Sequence, residues 1–247
     1  MSIIIFKKSY VSSGLLNNMT DIHSHILFGV DDGIKNYEDA VKSLCWLKKN
    51  GISRICLTPH VMSDYPTNTT AFLSESFDVF KMRLENDGVI DIPELRLGAE
   101  YMLESTIIKQ KSDGLITYKD RHILVETSYM TPPMGFVSIL ENLMEDGYSP
   151  VLAHPERYIY MDKNDYDFLK NMGIKFQLNF LSMIGAYGKT AKDKAVMLLN
   201  EDYYDFAGSD FHNFNRHKDD FFVKSLKRKN IEKLKRIIDN NNELWQD

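Results

Sequence analysis

The stretch TDIHSHILFGVDDG, Thr20 to Gly33, sets two histidines one residue apart after a short apolar entry and follows them with paired aspartates before a glycine. A lone His-x-His carries little weight, because a strand with two solvent-facing imidazoles reads the same. What gives it meaning is the pattern downstream. Short β-rich runs recur at Thr20–His23, Arg54–Pro59, Leu95–Glu100, His122–Thr127, Pro150–His154, Lys175–Phe180 and Tyr204–Ser209. Amphipathic runs separate them. The first, after Asn36 as N-cap, places Tyr37, Ala40, Val41, Leu44 and Leu47 on one helical face and stops at Gly51. Others are expected at Thr70–Asn86, Gly135–Asp146, Asp165–Met172, Thr190–Asn200 and Ile231–Asn241. Such alternation predicts crossover connections and a parallel α/β sheet. About seven parallel strands fit either a doubly wound open sheet or a closed barrel, and periodicity alone does not separate them.

Composition narrows the function classes. The 247 residues, 43% hydrophobic and 26% charged, are ordinary for a globular chain, and no linker or low-complexity tract divides it. A single domain over 1–247 is expected, with 1–19 as an N-terminal extension. The net charge of −5 argues against a face that tracks a phosphate backbone, so no nucleic-acid partner is expected. The two cysteines, Cys45 and Cys56, sit in apolar surroundings without C-x-x-C spacing, which points to a reducing compartment. The apolar run Ile3–Phe6 is too short for a signal peptide or a membrane span. A cytoplasmic protein is the expectation.

Ligand-type side chains fall at the carboxyl ends of the expected strands. His23 and His25 end the first, His60 the second, Glu100 the third, Glu126 the fourth and His154 the fifth, while Asp210 and His212 follow the seventh. This is the edge where α/β folds assemble their sites. Any one of these residues alone is better explained as a cap or a salt-bridge partner. Five of seven histidines at equivalent positions are not. Imidazole mixed with carboxylate is the ligand set of zinc, manganese or iron, and polar groups gathered at one mouth would repel one another without a cation.

The motifs DIHSHIL, DDG, TPH, GAE, HPERY and GSDFHN, running in order from Thr20 to Arg216, resemble the PHP (polymerase and histidinol phosphatase) superfamily. Within it, HILFGVDDG and AHPERY are similar to the CpsB-type tyrosine-protein phosphatases of capsular and exopolysaccharide operons. The resemblance implies a distorted (β/α)7 TIM-like barrel holding three divalent metal ions, manganese foremost, with iron or zinc as alternatives. It implies His23, His25, Glu100 and Asp210 as ligands of the first ion. Glu100 would bridge to a second held also by Glu126 and His154, and Asp32, His60 and His212 would hold the third. Of the pair Asp31–Asp32, spacing from the histidines favours Asp32.

Four carboxylates set against three divalent ions leave a surplus of about two positive charges, which suits a phosphate monoester dianion. Bound divalent ions acidify water and neutralise the oxygens of an in-line displacement. Arg157 in HPER and Arg216 in DFHNFNR are placed to add guanidinium contacts to the phosphoryl oxygens. For Arg157 the competing reading is a local pair with Glu156, and for Arg216 a plain surface residue. A cysteine-dependent tyrosine phosphatase needs an arginine six residues after its nucleophile, and here Cys45 is followed at that distance by Gly51 and Cys56 by Met62. That mechanism is excluded.

The expected function is hydrolysis of phosphotyrosine on a bacterial tyrosine autokinase that controls polysaccharide synthesis. A small-molecule phosphomonoesterase, such as a histidinol-phosphatase, is the alternative, and a scaffold with structural metals a third. Two segments, VMSDYPTNTT and TSYMTPPMGF, read either as rims that accept a flexible peptide or as packed loops. Whether the chain is a homo-oligomer is left open.

Overall fold

A computed structural model describes residues 8–223 and 226–245, so the Ile3–Phe6 run lies outside the described residues. Within them the strands are β1 (Met19–Asp21), β2 (Ile52–Leu57), β3 (His60–Val61), β4 (Glu94–Leu97), β5 (Glu100–Met102), β6 (His122–Glu126), β7 (Ser149–Ala153), β8 (Lys175–Asn179) and β9 (Phe206–Gly208). They form two wholly parallel sheets, in the orders β1-β2-β4 and β3-β5-β6-β7-β8-β9. The protein is a mixed α/β fold, as the alternating pattern requires.

The expected runs Arg54–Pro59 and Leu95–Glu100 correspond to β2 and β4, and each is followed after a short break by a further strand, β3 or β5. Pro59, which has no N–H to give a ladder, separates β2 from β3, and Gly98–Ala99 separate β4 from β5. The breaks lie side by side: Gly98 N donates to Leu57 O (2.8 Å) and Glu100 N to Pro59 O (3.1 Å). At the far edge, Asp210 N donates to His23 O and His25 N to Phe211 O, both at 2.9 Å, so the segments following β1 and β9 are neighbours. Below them Asn241, fully buried, donates to Thr20 O and Ala207 O (2.7 Å each) and accepts from Ala207 N (3.1 Å). One side-chain amide thus joins β1 to β9 where a backbone ladder is missing.

The helices expected from periodicity are found at Tyr37–Lys49, Thr70–Asn86, Phe136–Glu145, Lys163–Asn171, Gly188–Asn200 and Arg228–Asn240. Asn36, Thr69 and Asp162 cap three of them through side-chain oxygens that accept backbone N–H bonds. Helices at Tyr10–Ser13, Ser105–Gln110, Phe180–Ile184 and Phe214–Val223 were not expected. The first belongs to the presumed extension, yet Tyr10 is fully buried and its hydroxyl donates to Phe180 O at 2.7 Å. Residues 9–19 therefore pack into the body of the protein. Ile22, Cys56, Leu124, Val151 and Phe206, from β1 or its end, β2, β6, β7 and β9, form an inner cluster with Leu244 and Trp245 of the C-terminal turn. Burial of each such large side chain contributes about 1.5–3 kcal/mol. Among the described residues no helix is long and apolar enough to cross a membrane.

Candidate metal centre

The carboxyl ends of the strands bring the expected residues together. His23, His25, Glu100 and Asp210 form one group, His25, Asp32, His60 and His212 a second, and His60, Glu100 and Glu126 a third; within each, ligand atoms lie within 4.8 Å of one another. His23 Nε2 stands 3.2 Å from Glu100 Oε2 and 3.3 Å from Asp210 Oδ1. Asp32 Oδ1 is 3.4 Å from His60 Nε2 and 3.5 Å from His212 Nε2. Two details differ from the sequence reading: His60, rather than His154, completes the group with Glu100 and Glu126, and His25 joins that of Asp32. His154 stands beside these groups, its Nε2 bonded to Glu100 Oε1 at 3.0 Å.

Local structure aims these side chains. His154 (φ 35°) and Asp210 (φ 52°) sit in the left-handed region just past β7 and β9, turning the chain so that both face inward. A Cβ at Gly33 would fall 2.2 Å from His25 O and 2.4 Å from His25 Cβ, so the last residue of DDG must be glycine for the loop to lie against His25. Gly208 plays the same part under His23, whose Cβ would be 2.7 Å away.

A ring of partners fixes the imidazoles. Asp31, the aspartate passed over, accepts from His25 Nδ1 (2.8 Å), His60 N (3.0 Å) and Gly33 N (2.9 Å). Burial would raise its carboxyl, but His25 outweighs this and draws it down to about 2. His23 Nδ1 meets Gln177 Oε1 at 2.9 Å, and His212 Nδ1 meets Asp210 O at 2.9 Å. In each case the Nε2 is left for the cluster, the arrangement that orients metal-binding histidines.

The donor set fits divalent cations on an observation internal to the protein. His60 Nδ1 lies 2.8 Å from Glu126 Oε1 and 3.2 Å from Glu100 Oε2, yet none of these three buried atoms makes a hydrogen bond of acceptable direction. An imidazole nitrogen and two carboxylate oxygens converge there without a well-directed hydrogen bond between them, and such groups are costly to bury without a partner. Charge says the same. Burial disfavours charged imidazoles, but the facing carboxylates outweigh it and hold His25, His60 and His212 well above the ordinary histidine range. Burial likewise opposes ionised Glu100 and Asp210, and the histidines outweigh it and hold both well below the usual carboxylate range. A cluster that can balance its carboxylates only by protonating its imidazoles is one in which divalent ions can replace those protons.

Above the cluster lies an open cleft of about 330 Å³, lined by Asp32, His60, Tyr129, His154, Arg157, Tyr187, Asp210, His212, Arg216 and His217. Both expected arginines are there. Arg157 Nη1 donates to Asp210 Oδ2 at 2.9 Å, and the guanidinium lies between the rings of Tyr129 (4.4 Å) and Tyr187 (4.1 Å). Asn179 Nδ2 donates to the same Asp210 oxygen at 2.7 Å. The exposed Arg216 rests over Tyr187 at 5.0 Å. Glu156 is no partner of Arg157: it is buried, accepting from Asn179 N (3.1 Å) and the Tyr204 hydroxyl (2.8 Å). Sequence reasoning missed Asp31, Gln177, Asn179 and Tyr187, of which only Asp31 carried a signal, as half of an aspartate pair.

The family model for capsular polysaccharide synthesis, CpsB/CapC, matches residues 19–243. The chain belongs to the CpsB/CapC family. It is 30% identical over 205 residues to the tyrosine-protein phosphatase YwqE of Bacillus subtilis, covering 79% of this chain and 78% of that one. It is also 30% identical over 206 residues to the tyrosine-protein phosphatase CpsB of Streptococcus pneumoniae, covering 80% and 84%. Its fold is similar to that of one chain from the crystal structures of YwqE from Bacillus subtilis and CpsB from Streptococcus pneumoniae, described as unique metal-dependent tyrosine phosphatases, with TM-score 0.76 at 24% identity over 92% of this chain and 93% of that one.

In this CpsB/CapC chain the cysteines stand apart from the cleft. Cys56 is buried in the inner apolar cluster, where burial pushes its thiol well up, and Cys45 is half-buried on the helix Tyr37–Lys49. Neither lines the cleft.

Proposed function

We propose that this protein is a metal-dependent protein-tyrosine phosphatase that hydrolyses phosphotyrosine on a bacterial tyrosine autokinase regulating capsular or exopolysaccharide synthesis. The observation that carries this reading is the convergence of eight ligand-type residues, with His154 bonded to one of them and unpaired buried atoms facing one another, at a cleft that two arginines also line. The names of its relatives support the substrate class. The supporting frame is read as a single domain with a distorted (β/α)7 barrel, in which β2 with β3 and β4 with β5 each count as one strand and the contacts between the ends of β1 and β9 close the ring. A cytoplasmic location goes with this reading.

Three divalent ions, manganese foremost with iron or zinc as alternatives, are proposed. His23, His25, Glu100 and Asp210 would hold the first, Glu100 and Glu126 with His154 or His60 the second, and Asp32, His60 and His212 the third; His25, whose Nδ1 is committed to Asp31, has one nitrogen to give and would serve the first alone. Bound ions supply positive charge opposite the phosphoryl oxygens and acidify water. The protein's own residues do the rest. Asp31 and Gln177 hold His25 and His23 in the tautomers that leave Nε2 facing inward. Arg157, pinned to Asp210 at Nη1 and stacked between two rings, presents its remaining N–H groups as a fixed plate for phosphoryl oxygens, and Arg216 adds a second cation from the rim. Pre-positioned charge of this kind needs no rearrangement as negative charge shifts during transfer.

Phosphate release from a phosphotyrosine peptide and from histidinol phosphate, each with manganese and with chelator, tests the reading. Release from the peptide that chelator abolishes is expected. Preference for histidinol phosphate would replace the substrate assignment, and release unaffected by chelator would overturn the mechanism.

A further inference from the structure

Beside the polar cleft lies a hollow of the opposite character. A groove of about 430 Å³ is walled by Pro132, Pro133, Phe136, Tyr160, Phe168 and Leu169 among others. Of its lining, Phe168 is 49% exposed, and on the two loops that supply Pro132, Pro133 and Tyr160 the side chains of Met134 (98%), Met130 (65%) and Ile159 (56%) are exposed as well. Isolated exposed hydrophobics are ordinary, but a gathering of them around a groove marks an interaction surface.

The groove and the cleft are lined by successive residues of the same two loops. Tyr129 and Arg157 line the cleft, while Pro132 and Tyr160, each three residues farther along the same two loops, line the groove. Ile159 N donates to Tyr129 O at 2.9 Å, so the loops run side by side. The rings of Tyr129, Tyr158 and Tyr160 stack in a row, with centroids 6.0 and 6.1 Å apart. Three residues of chain reach at most about 11 Å, so the groove begins within that distance of the cleft wall. An extended peptide rises about 3.3 Å per residue and covers the gap in three or four residues.

We propose that this groove is a docking subsite for the polypeptide around the phosphotyrosine, taking an apolar or aromatic side chain two to four residues from it. The proposal rests on the phosphatase reading above and extends it from the phosphoryl group to the chain that carries it. A small metabolite has nothing to place there. The segment TSYMTPPMGF, undecided between rim and packed loop from sequence, supplies the groove's outer wall through Pro132, Pro133 and Phe136. Burying one large apolar side chain tightens binding on the order of tenfold to a hundredfold.

The test uses three substrates: free phosphotyrosine, a phosphotyrosine peptide with leucine three residues to either side, and the same peptide with serine at those positions. The wild type is expected to favour the leucine peptide at least about tenfold in kcat/KM, mainly through KM. Phe168→Glu is expected to abolish that preference and leave the rate on free phosphotyrosine unchanged, whereas Phe168→Leu keeps the preference. Equal treatment of the two peptides by the wild type, or equal slowing of all three substrates by Phe168→Glu, overturns the proposal. If nothing is hydrolysed, fluorescence anisotropy of the two labelled phosphopeptides decides separately: a leucine preference lost in Phe168→Glu upholds the groove and refutes only the phosphatase reading, and equal affinities overturn the groove. A wild-type dimer that Phe168→Glu converts to monomer, without any peptide preference, assigns the groove to a second copy of the chain and overturns the proposal.

Discussion

Replacing Arg157 by alanine removes a hydrogen-bonded charge from Asp210 and a guanidinium from between two rings. At 2.9 Å and an effective dielectric near 20, the gross attraction is on the order of 6 kcal/mol. Desolvation cancels much of it, and a charge-assisted hydrogen bond of this kind nets about 1.5–3 kcal/mol. The two ring contacts add roughly 0.5–1 kcal/mol each. For a chain of this size a total near 3 kcal/mol lowers Tm by roughly 6–12 °C. The loss of function is larger and has two parts. Because Arg157 holds a ligand-type carboxylate, metal affinity falls on the order of 10- to 100-fold. At saturating metal, kcat falls on the order of 10²- to 10³-fold, the cost of one charge-stabilising donor. Arg157→Lys recovers part of this, since one ammonium cannot both hold Asp210 and face the phosphoryl group. Steady-state release of phosphate from phosphotyrosine across a manganese titration, with Tm recorded alongside, measures each part. Glu156→Gln is the control: it keeps an acceptor for Asn179 N and a partner for Tyr204, so near-normal turnover is expected. Turnover of Arg157→Ala within a few-fold of wild type at saturating metal refutes the reasoning, as does Glu156→Gln falling equally far.

Other expectations follow from the same geometry. Asp31→Asn weakens the bond that fixes His25 Nδ1 and is expected to lower metal affinity about 10- to 100-fold in a folded protein, read by calorimetric titration. Gly33→Ala places a methyl group into the His25 backbone and is expected to cost at least about 1–3 kcal/mol and most activity; a folded, fully active variant would show that the loop yields freely. Cys45→Ser and treatment with thiol reagents are expected to leave phosphate release nearly intact, and loss of activity in a folded Cys45→Ser protein would point to a different chemistry.

The parts of the site that were legible in the sequence are those tied to strand ends. A short apolar run followed by His, Glu or Asp fixes which edge of a parallel sheet a side chain occupies, so eight of the nine residues could be gathered without knowing their distances, while Asp32, in the DDG loop, came from the family resemblance. The helix Thr70–Asn86 was legible because Leu73, Phe77, Phe80 and Leu84 recur at helical spacing. Partners from other elements were not. Gln177 and Asn179 lie on β8, which carries no ligand of its own, and Tyr187 belongs to a turn whose contact with Arg157 depends on tertiary packing. The competing reading of Arg157 as a partner of Glu156 fails because in the tight turn Pro155–Arg157 the buried Glu156 bonds Asn179 N and Tyr204 while Arg157 faces the cleft. The aspartate pair was read as a choice between two ligands. The two divide the work instead, Asp31 orienting His25 and the exposed Asp32 facing His60 and His212.

The central claim is that the histidines and carboxylates at the strand ends hold divalent ions without which phosphate is not released. Stripping the protein of metal, adding manganese back in steps, and measuring bound metal and phosphotyrosine hydrolysis in the same samples tests it directly. Activity is predicted to be absent from the stripped protein and to rise with metal occupancy, approaching three ions per chain. Full activity in the stripped protein, or hydrolysis that does not follow occupancy, would contradict it.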